Sequence, residues 1–270
     1  TEKKFVTQRE VVLNERRQNY ENRPYGYASM ALASIHYPPN HQYHWPTIGF
    51  HEDLNVATLD DARIFFQRFY TPSNASLVIA GDIRLEEARE MVERYFGDLA
   101  PGPSLPRAKR TDSPLQGQMD LVLHDRVLLP RLSLAWPTVP RFHEDEAPLS
   151  ILGDVLGDGK SSRLYRALVY ERRIAQSVAV SHGSAEIAGD FHLEITAASG
   201  HTAEEVEDAT LTEIQRIREK PPSPEELART KNRLEWQHVR RMANIGGFGG
   251  RANLLNSFNV FAGDPSLMSR

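Results

Sequence analysis

Cysteine is absent from this chain of 270 residues. Its absence excludes disulfide bonds and thiolate metal sites, and it leaves the compartment open. The sequence also lacks any apolar run near the ~18 residues that a membrane-spanning helix requires. The net charge is only −4, with acidic and basic residues interspersed. The chain therefore offers neither a broad basic face for nucleic acid nor a polyacidic tail.

An initiator methionine and a signal sequence are missing as well. The chain begins at Thr1 inside a helical pattern and stops at Arg270 soon after another one, so we expect a segment excised from a longer protein. With 40% hydrophobic residues, the chain is long enough to form two domains. Prolines and a glycine followed by a basic cluster predict a linker at 101–112. The predicted domains are 1–100 and 113–270.

A helix is predicted near the N-terminus, ending at Arg23 because a residue before proline leaves the α region. The face predicted to be buried carries Gln8, Val11, Val12, Glu15, Asn19 and Asn22. The face predicted to meet water carries Arg9, Arg16, Arg17 and Arg23. A buried carboxylate requires a cation, hydrogen-bond donors or a metal. The position of Glu15 on the helix is compatible with two roles, a structural glutamate or a metal ligand.

Hydrophobic periodicity and capping signals predict an α+β chain. Helices are expected at 25–36, from 58, and at 85–96, 144–156, 162–174, 202–220, 223–242 and 251–261. Short strands are expected at 75–80, 118–125, 131–136, 176–184 and 190–198. The aromatic stripe of Phe65, Phe66 and Phe69 is expected to face the core.

Two further patterns suggest ligand chemistry but have simpler interpretations. His41-x-x-His44 has metal-ligand spacing, yet it lies in a loop without helical period, where histidines are mostly solvated. The turn Gly157-x-Gly159-Lys160-Ser161 has the composition of a phosphate loop. It has Asp154 where that motif requires glycine, and a predicted helix where the motif requires a strand. Nucleotide binding is therefore not expected.

Several stretches, taken in order along the chain, resemble the pitrilysin/insulinase family of zinc metallopeptidases, the inverzincins. The string QREVVLNERRQ at 8–18 resembles the helix that carries the family's third zinc ligand. Residues 44–54 and 65–82 resemble the end of its first domain, and residues 152–165 the start of its second. The resemblance implies two consecutive α/β sandwich units, each an antiparallel or mixed sheet with helices on one face, and each truncated.

The resemblance also implies a metal site. In the family, His-x-x-Glu-His supplies two ligands and a general base, and Glu15 matches the third ligand. Gln8 occupies the position of a second family glutamate, which would make it an outer-shell neighbour. None of the ten histidines lies in the motif. We therefore expect zinc and peptide cleavage by metal-activated water in the full-length parent, and no catalytic residue or activity in this segment alone.

Active members carry an Arg/Tyr pair that binds the substrate carbonyl, and the matching positions here are Val169 and Gln176. The resemblance thus implies a homologous partner subunit carrying that pair. It also implies peptide contacts at Gly157, Gly159 and Ser161. The alternative is a non-catalytic scaffold, like the core subunits of the mitochondrial quinol–cytochrome c reductase, or a peptide-binding subunit.

Overall fold

The structure, a computed structural model, describes residues 1–109 and 117–269. It divides into two compact units. Unit 1 comprises residues 1–56 and 108–231, and unit 2 comprises residues 57–107 and 232–270. Each unit thus combines an early and a late part of the sequence. The division into domains at the 101–112 linker stays a prediction, and residues 110–112 lie outside the described residues.

The α+β class is confirmed. The α-helices within the described ranges are α1 (Glu2–Arg16), α2 (Ala28–His36), α3 (His51–Val56), α4 (Leu59–Phe69), α5 (Leu85–Phe96), α6 (Glu146–Gly157), α7 (Ala203–Glu219), α8 (Pro224–Ala243) and α9 (Arg251–Ser257). Segments of π-helix follow at Arg17–Glu21, Tyr165–Glu171 and Phe258–Ala262. Short 3-10 turns lie at Gln42–His44, Pro72–Asn74 and Pro265–Ser269. Capping boxes begin both α4 and α8.

One antiparallel sheet is formed by β1 (Arg131–Thr138), β2 (Ala175–Ser184) and β3 (Gly189–Ala197), in the order β1-β3-β2. The register places Trp136 of β1 and His182 of β2 opposite Phe191 of the central strand. These strands confirm the predictions for 131–136, 176–184 and 190–198.

The sheet carries the core of unit 1. Inward residues of β3 pack with α6, α7 and the π-helical segment at Tyr165–Glu171. The largest fully buried apolar side chains at the centre are Leu164, Leu168, Leu193, Ile195 and Val206. Gly157 permits the close approach of α6 to β2, because a Cβ at this position would overlap the Val180 side chain.

The N-terminal residues of unit 1 are tied to its later residues through Tyr25, which has a φ of 60°. The Tyr25 backbone N–H donates to Asp125 Oδ2 at 2.9 Å, and its hydroxyl donates to the Leu129 carbonyl at 2.7 Å. The Arg131 guanidinium lies over the ring, 3.8 Å from its centroid. These contacts hold a tyrosine in a left-handed conformation that usually favours glycine.

Two predicted strands are wrong. Residues 75–80 and 118–125 are irregular, although both contain apolar runs. A strand requires a neighbouring backbone to accept and donate its hydrogen bonds, and neither run pairs with another strand among the described residues. The loop expected around His41 and His44 is also corrected, since it contains a 3-10 turn and is followed by α3.

Unit 2 does not bury the stripe expected to form its core. Phe65, Phe66 and Phe69 of α4 are all exposed, Phe65 by 52%. The helical period was predicted correctly, but the described part of the chain covers this face only in part. None of the described helices combines the length and apolar composition needed to cross a membrane.

Candidate functional site

Glu15, the sequence-predicted metal ligand, lies in the last turn of α1 and is exposed, as is Gln8 two turns earlier. The predicted orientation of α1 is therefore wrong. The helix buries Leu13 and Arg16, while Val11 remains 49% exposed. The error arises because α1 packs through a buried guanidinium, which a count of apolar residues assigns to water.

Arg16 is 5% exposed and has contacts on three sides. Its Nη1 donates to the Gly49 carbonyl at 3.0 Å and lies 3.3 Å from Met30 Sδ. Its Nε lies 3.2 Å from Glu21 Oε1 in a charge contact that is not aligned as a hydrogen bond. A buried cation needs compensation of this kind. Arg16 therefore fixes the end of α1, while the preceding Glu15 remains exposed.

The residues present do not by themselves fit a zinc site. Within residues 1–109 and 117–269, no three histidine, aspartate or glutamate side chains converge in a way that would hold a metal ion. Glu15 supplies one carboxylate, whereas a catalytic zinc takes three protein ligands and an open position. His41 does not join it, since the Nδ1 of His41 accepts a hydrogen bond from the backbone N–H of Tyr43.

The glycine-containing turn after α6 brings two of the predicted substrate-contact residues to the surface. Gly159 has a φ of +74°, which favours glycine, and its carbonyl accepts a hydrogen bond from Ser162 Oγ at 2.8 Å. Gly159 and Ser161 are exposed, whereas Gly157 is buried against β2. The structure therefore makes Gly157 a packing residue, and its predicted contact with peptide stays a prediction.

A cavity of about 290 Å³ opens beside Ser161, between α7 and the π-helical segment. Its charged lining is mostly internally paired. Glu213 lies 2.6 Å from Arg216 and 3.6 Å from Arg172. The Arg163 guanidinium donates to both oxygens of Glu226, at 2.9 and 2.8 Å, and this holds the pKa of Glu226 at about 2. The cavity thus carries matched charges rather than an excess of one sign.

The two positions that match the Arg/Tyr pair have neither a guanidinium nor a phenol side chain. Val169 lies in the π-helical segment and packs against the core, and Gln176 is exposed near the start of β2. A valine side chain cannot donate a hydrogen bond to a carbonyl. A glutamine can donate one, but it brings no positive charge.

The structure also contains a cluster of histidines and tyrosines that was not predicted from the sequence. His41 was predicted to be a solvated loop histidine, but it is only 3% exposed and stacks on Tyr37, with ring centroids 4.5 Å apart. The neighbouring Tyr43 and His36 complete the cluster, which packs on the β2–β3 connection. The alternation of His and Tyr from 36 to 44 was the available signal.

The sequence matches a known protein family and several of its members. Residues 57–234 match the model described as the peptidase M16 inactive domain. The chain is 34% identical over 185 residues to the zinc protease PqqE of Helicobacter pylori, covering 67% of this chain and 41% of that protein. It is 28% identical to the uncharacterized zinc protease YmxG of Bacillus subtilis, covering 66% of this chain and 42% of that protein.

Solved structures share the fold. A crystal structure of a protease from Helicobacter pylori covers the whole chain with a TM-score of 0.87 at 23% identity, and the match spans 64% of that chain. A peptidase M16 inactive domain from Pseudomonas fluorescens gives a TM-score of 0.79 at 16% identity, over 62% of that chain. The chain spans about two fifths of the length of the curated relatives. The match over 57–234 shows that this chain belongs to the peptidase M16 family.

Proposed function

We propose that this chain is a non-catalytic segment of a zinc-dependent peptidase, in which Glu15 is one ligand of a metal site completed by residues outside this sequence. The observation that carries the proposal is the placement of Glu15. Glu15 is exposed at the end of a helix that the next residue, the buried Arg16, fixes to the rest of unit 1. Fixed ligands lose less conformational entropy when they bind.

The proposal assigns no chemical step to this chain by itself. One carboxylate is too few for a zinc site, and the Arg/Tyr positions hold Val169 and Gln176. We infer that a homologous subunit supplies that pair and that the two subunits enclose a peptide. Gly159 and Ser161 are exposed at the turn that would meet the peptide, and Gly157 shapes it.

The test measures zinc in the longer protein that contains this chain, after dialysis against a weak chelator. We expect about one zinc per chain in the wild type, and loss of it in Glu15→Gln. Glu10→Gln is the matched control, because Glu10 is an exposed glutamate on the same helix. Unchanged zinc in Glu15→Gln, or equal loss in both variants, would remove Glu15 from the metal site.

A second candidate function is a scaffold or peptide-binding subunit without metal. It is favoured by the match to the model described as an inactive domain. Peptide binding that survives a strong chelator, together with no zinc in the wild type, would favour this candidate. Cleavage that appears only when the protein is mixed with an Arg/Tyr-bearing homologue would favour the first.

A further inference from the structure

Four side chains between the end of α2 and the following 3-10 turn join the early part of unit 1 to its sheet. The Tyr37 hydroxyl donates to the Gly189 carbonyl at 3.5 Å, and the Ile187 backbone N–H donates to the Tyr43 hydroxyl oxygen at 3.2 Å. His36 and His41 pack on the Tyr37 ring from two sides, edge-on and stacked. We name His36, Tyr37, His41 and Tyr43 the histidine–tyrosine latch.

The geometry of the latch requires a neutral His41. Its Nδ1 accepts the Tyr43 backbone N–H at 3.0 Å, and an imidazolium has no acceptor nitrogen. His41 is also almost fully buried, so its protonation would place a cation away from water. Protonation of His41 would therefore disturb the 3-10 turn. The hydrogen bond from the Tyr43 N–H to His41 begins this turn, which positions the Tyr43 hydroxyl.

The surroundings of His36 lower its pKa on balance. Burial lowers its pKa most strongly, and the nearby His192 and His41 lower it further, while Asp190 of β3 opposes them. Tyr37 stays protonated, because burial first, and then Asp190 and Tyr43, raise its pKa to about 12. Its hydroxyl therefore remains a donor at every pH at which the histidines titrate.

We propose that the histidine–tyrosine latch is an acid-sensitive device. Neutral histidines hold the 36–44 turn on the β2–β3 connection, and protonated histidines release it. The latch closes a long loop in sequence, since it joins residues near position 40 to residues near 188 within unit 1. Acid would thus loosen the early segment, which includes α1, from the sheet. The inference does not depend on zinc binding by Glu15.

The expected size of the effect follows from proton linkage. We take a histidine that binds a proton only in the released state, with an ordinary pKa of ~6.5. At pH 5.0 it raises the ratio of released to closed molecules about 30-fold. At pH 7.5 the same histidine raises that ratio by only about 10%. The effect is therefore small at neutral pH, and it grows as the pH falls below about 6.5.

The test is amide hydrogen exchange of the whole chain, read at Ile187 because its N–H is held by Tyr43. We expect the protection factor of Ile187 to fall by about 10- to 30-fold between pH 7.5 and 5.0. In His41→Asn, whose side-chain oxygen can accept the Tyr43 N–H without titrating, most of this fall should disappear. His124→Asn is the control, since His124 is exposed in the same unit and should leave the fall unchanged.

A second variant keeps the proposal testable if His41→Asn folds poorly. Tyr43→Phe removes the hydroxyl that holds Ile187. It should lower Ile187 protection at pH 7.5 and leave little further change at pH 5.0. A wild type whose Ile187 protection does not depend on pH would overturn the proposal. So would a Tyr43→Phe variant that retains the full wild-type dependence.

Discussion

The two units are built from similar amphipathic helices and bury them to different extents. Unit 1 encloses a continuous core around β3, in which Leu164, Leu168 and Ile195 are fully buried. In the described part of unit 2, Gly250 is the only buried residue. Its helix α5 exposes Leu85, Tyr95 and Phe96, although its apolar period is regular. A regular period is therefore enough to form a helix, but burial also requires a surface to pack against.

The difference has an energetic consequence. A fully buried leucine or phenylalanine side chain contributes about 1.5–3 kcal/mol, and a half-exposed one correspondingly less. Hydrophobic stabilisation is therefore concentrated in unit 1. Unit 2 relies on local helix signals, such as the Thr58/Asp61 capping box, and on polar contacts such as Ser76 Oγ to Asn256 Oδ1 at 2.6 Å.

The largest expected effect tests this comparison directly. Leu168→Ala removes a fully buried side chain from unit 1 and should lower the free energy of unfolding by about 2–5 kcal/mol. Phe65→Ala truncates a half-exposed ring in unit 2 and should cost about 1 kcal/mol or less. Urea denaturation, with hydrogen exchange read separately in each unit, measures both. A cost at Phe65 as large as at Leu168 would mean that another surface covers α4 in solution.

A second contrast concerns charge. Glu21→Gln would leave the buried Arg16 guanidinium of unit 1 without its carboxylate, and we expect a loss of about 2 kcal/mol. In unit 2 the Arg63–Asp60 pair is exposed at both ends, so Asp60→Asn should change little. Thermal and urea unfolding compare the two. Adding Arg16→Met to Glu21→Gln should recover part of the loss, because the unpaired charge is removed. No recovery would mean that Arg16 acts through packing alone.

The same contrast explains which predictions from the sequence were confirmed. Predictions that rested on a few neighbouring residues were confirmed. The helix α5 spans the predicted Leu85–Phe96, and Thr202 caps α7. Some predictions that depended on distant partners were wrong, including the strand at 75–80 and the burial of Phe65, whereas the predicted β1 does pair with the distant β3. In the candidate site, Glu15 was singled out from sequence, but its exposure depends on Arg16 packing against Met30 and Gly49, which helical phase alone does not show.

The third prediction is the pH dependence of α8, whose first residues belong to unit 1. The Arg163 hydrogen bonds lower the pKa of Glu226 to about 2, so this contact adds stability at pH values above the unfolded value near 4.5. The stability is lost as the pH falls from about 4.5 towards 2. We expect Glu226→Gln to cost about 2 kcal/mol at pH 7 and to weaken the acid dependence. Glu235→Gln, an exposed position in the unit 2 part of the same helix, should do neither when acid unfolding is followed by circular dichroism.

The smallest expected effect concerns backbone strain at the end of the π-helical segment. Arg173 has a φ of 57° and an exposed side chain, so it occupies a left-handed conformation without the buried contacts that hold Tyr25. Arg173→Gly should therefore raise the free energy of unfolding by about 1 kcal/mol. Arg172→Gly should have the opposite sign, because Arg172 has a right-handed backbone and pairs with Glu213. Hydrogen exchange should show slower opening in unit 1 and no change in unit 2 for Arg173→Gly. A stabilisation shared equally by both units would instead mean that they unfold together, and that their difference in burial is not a difference in local stability.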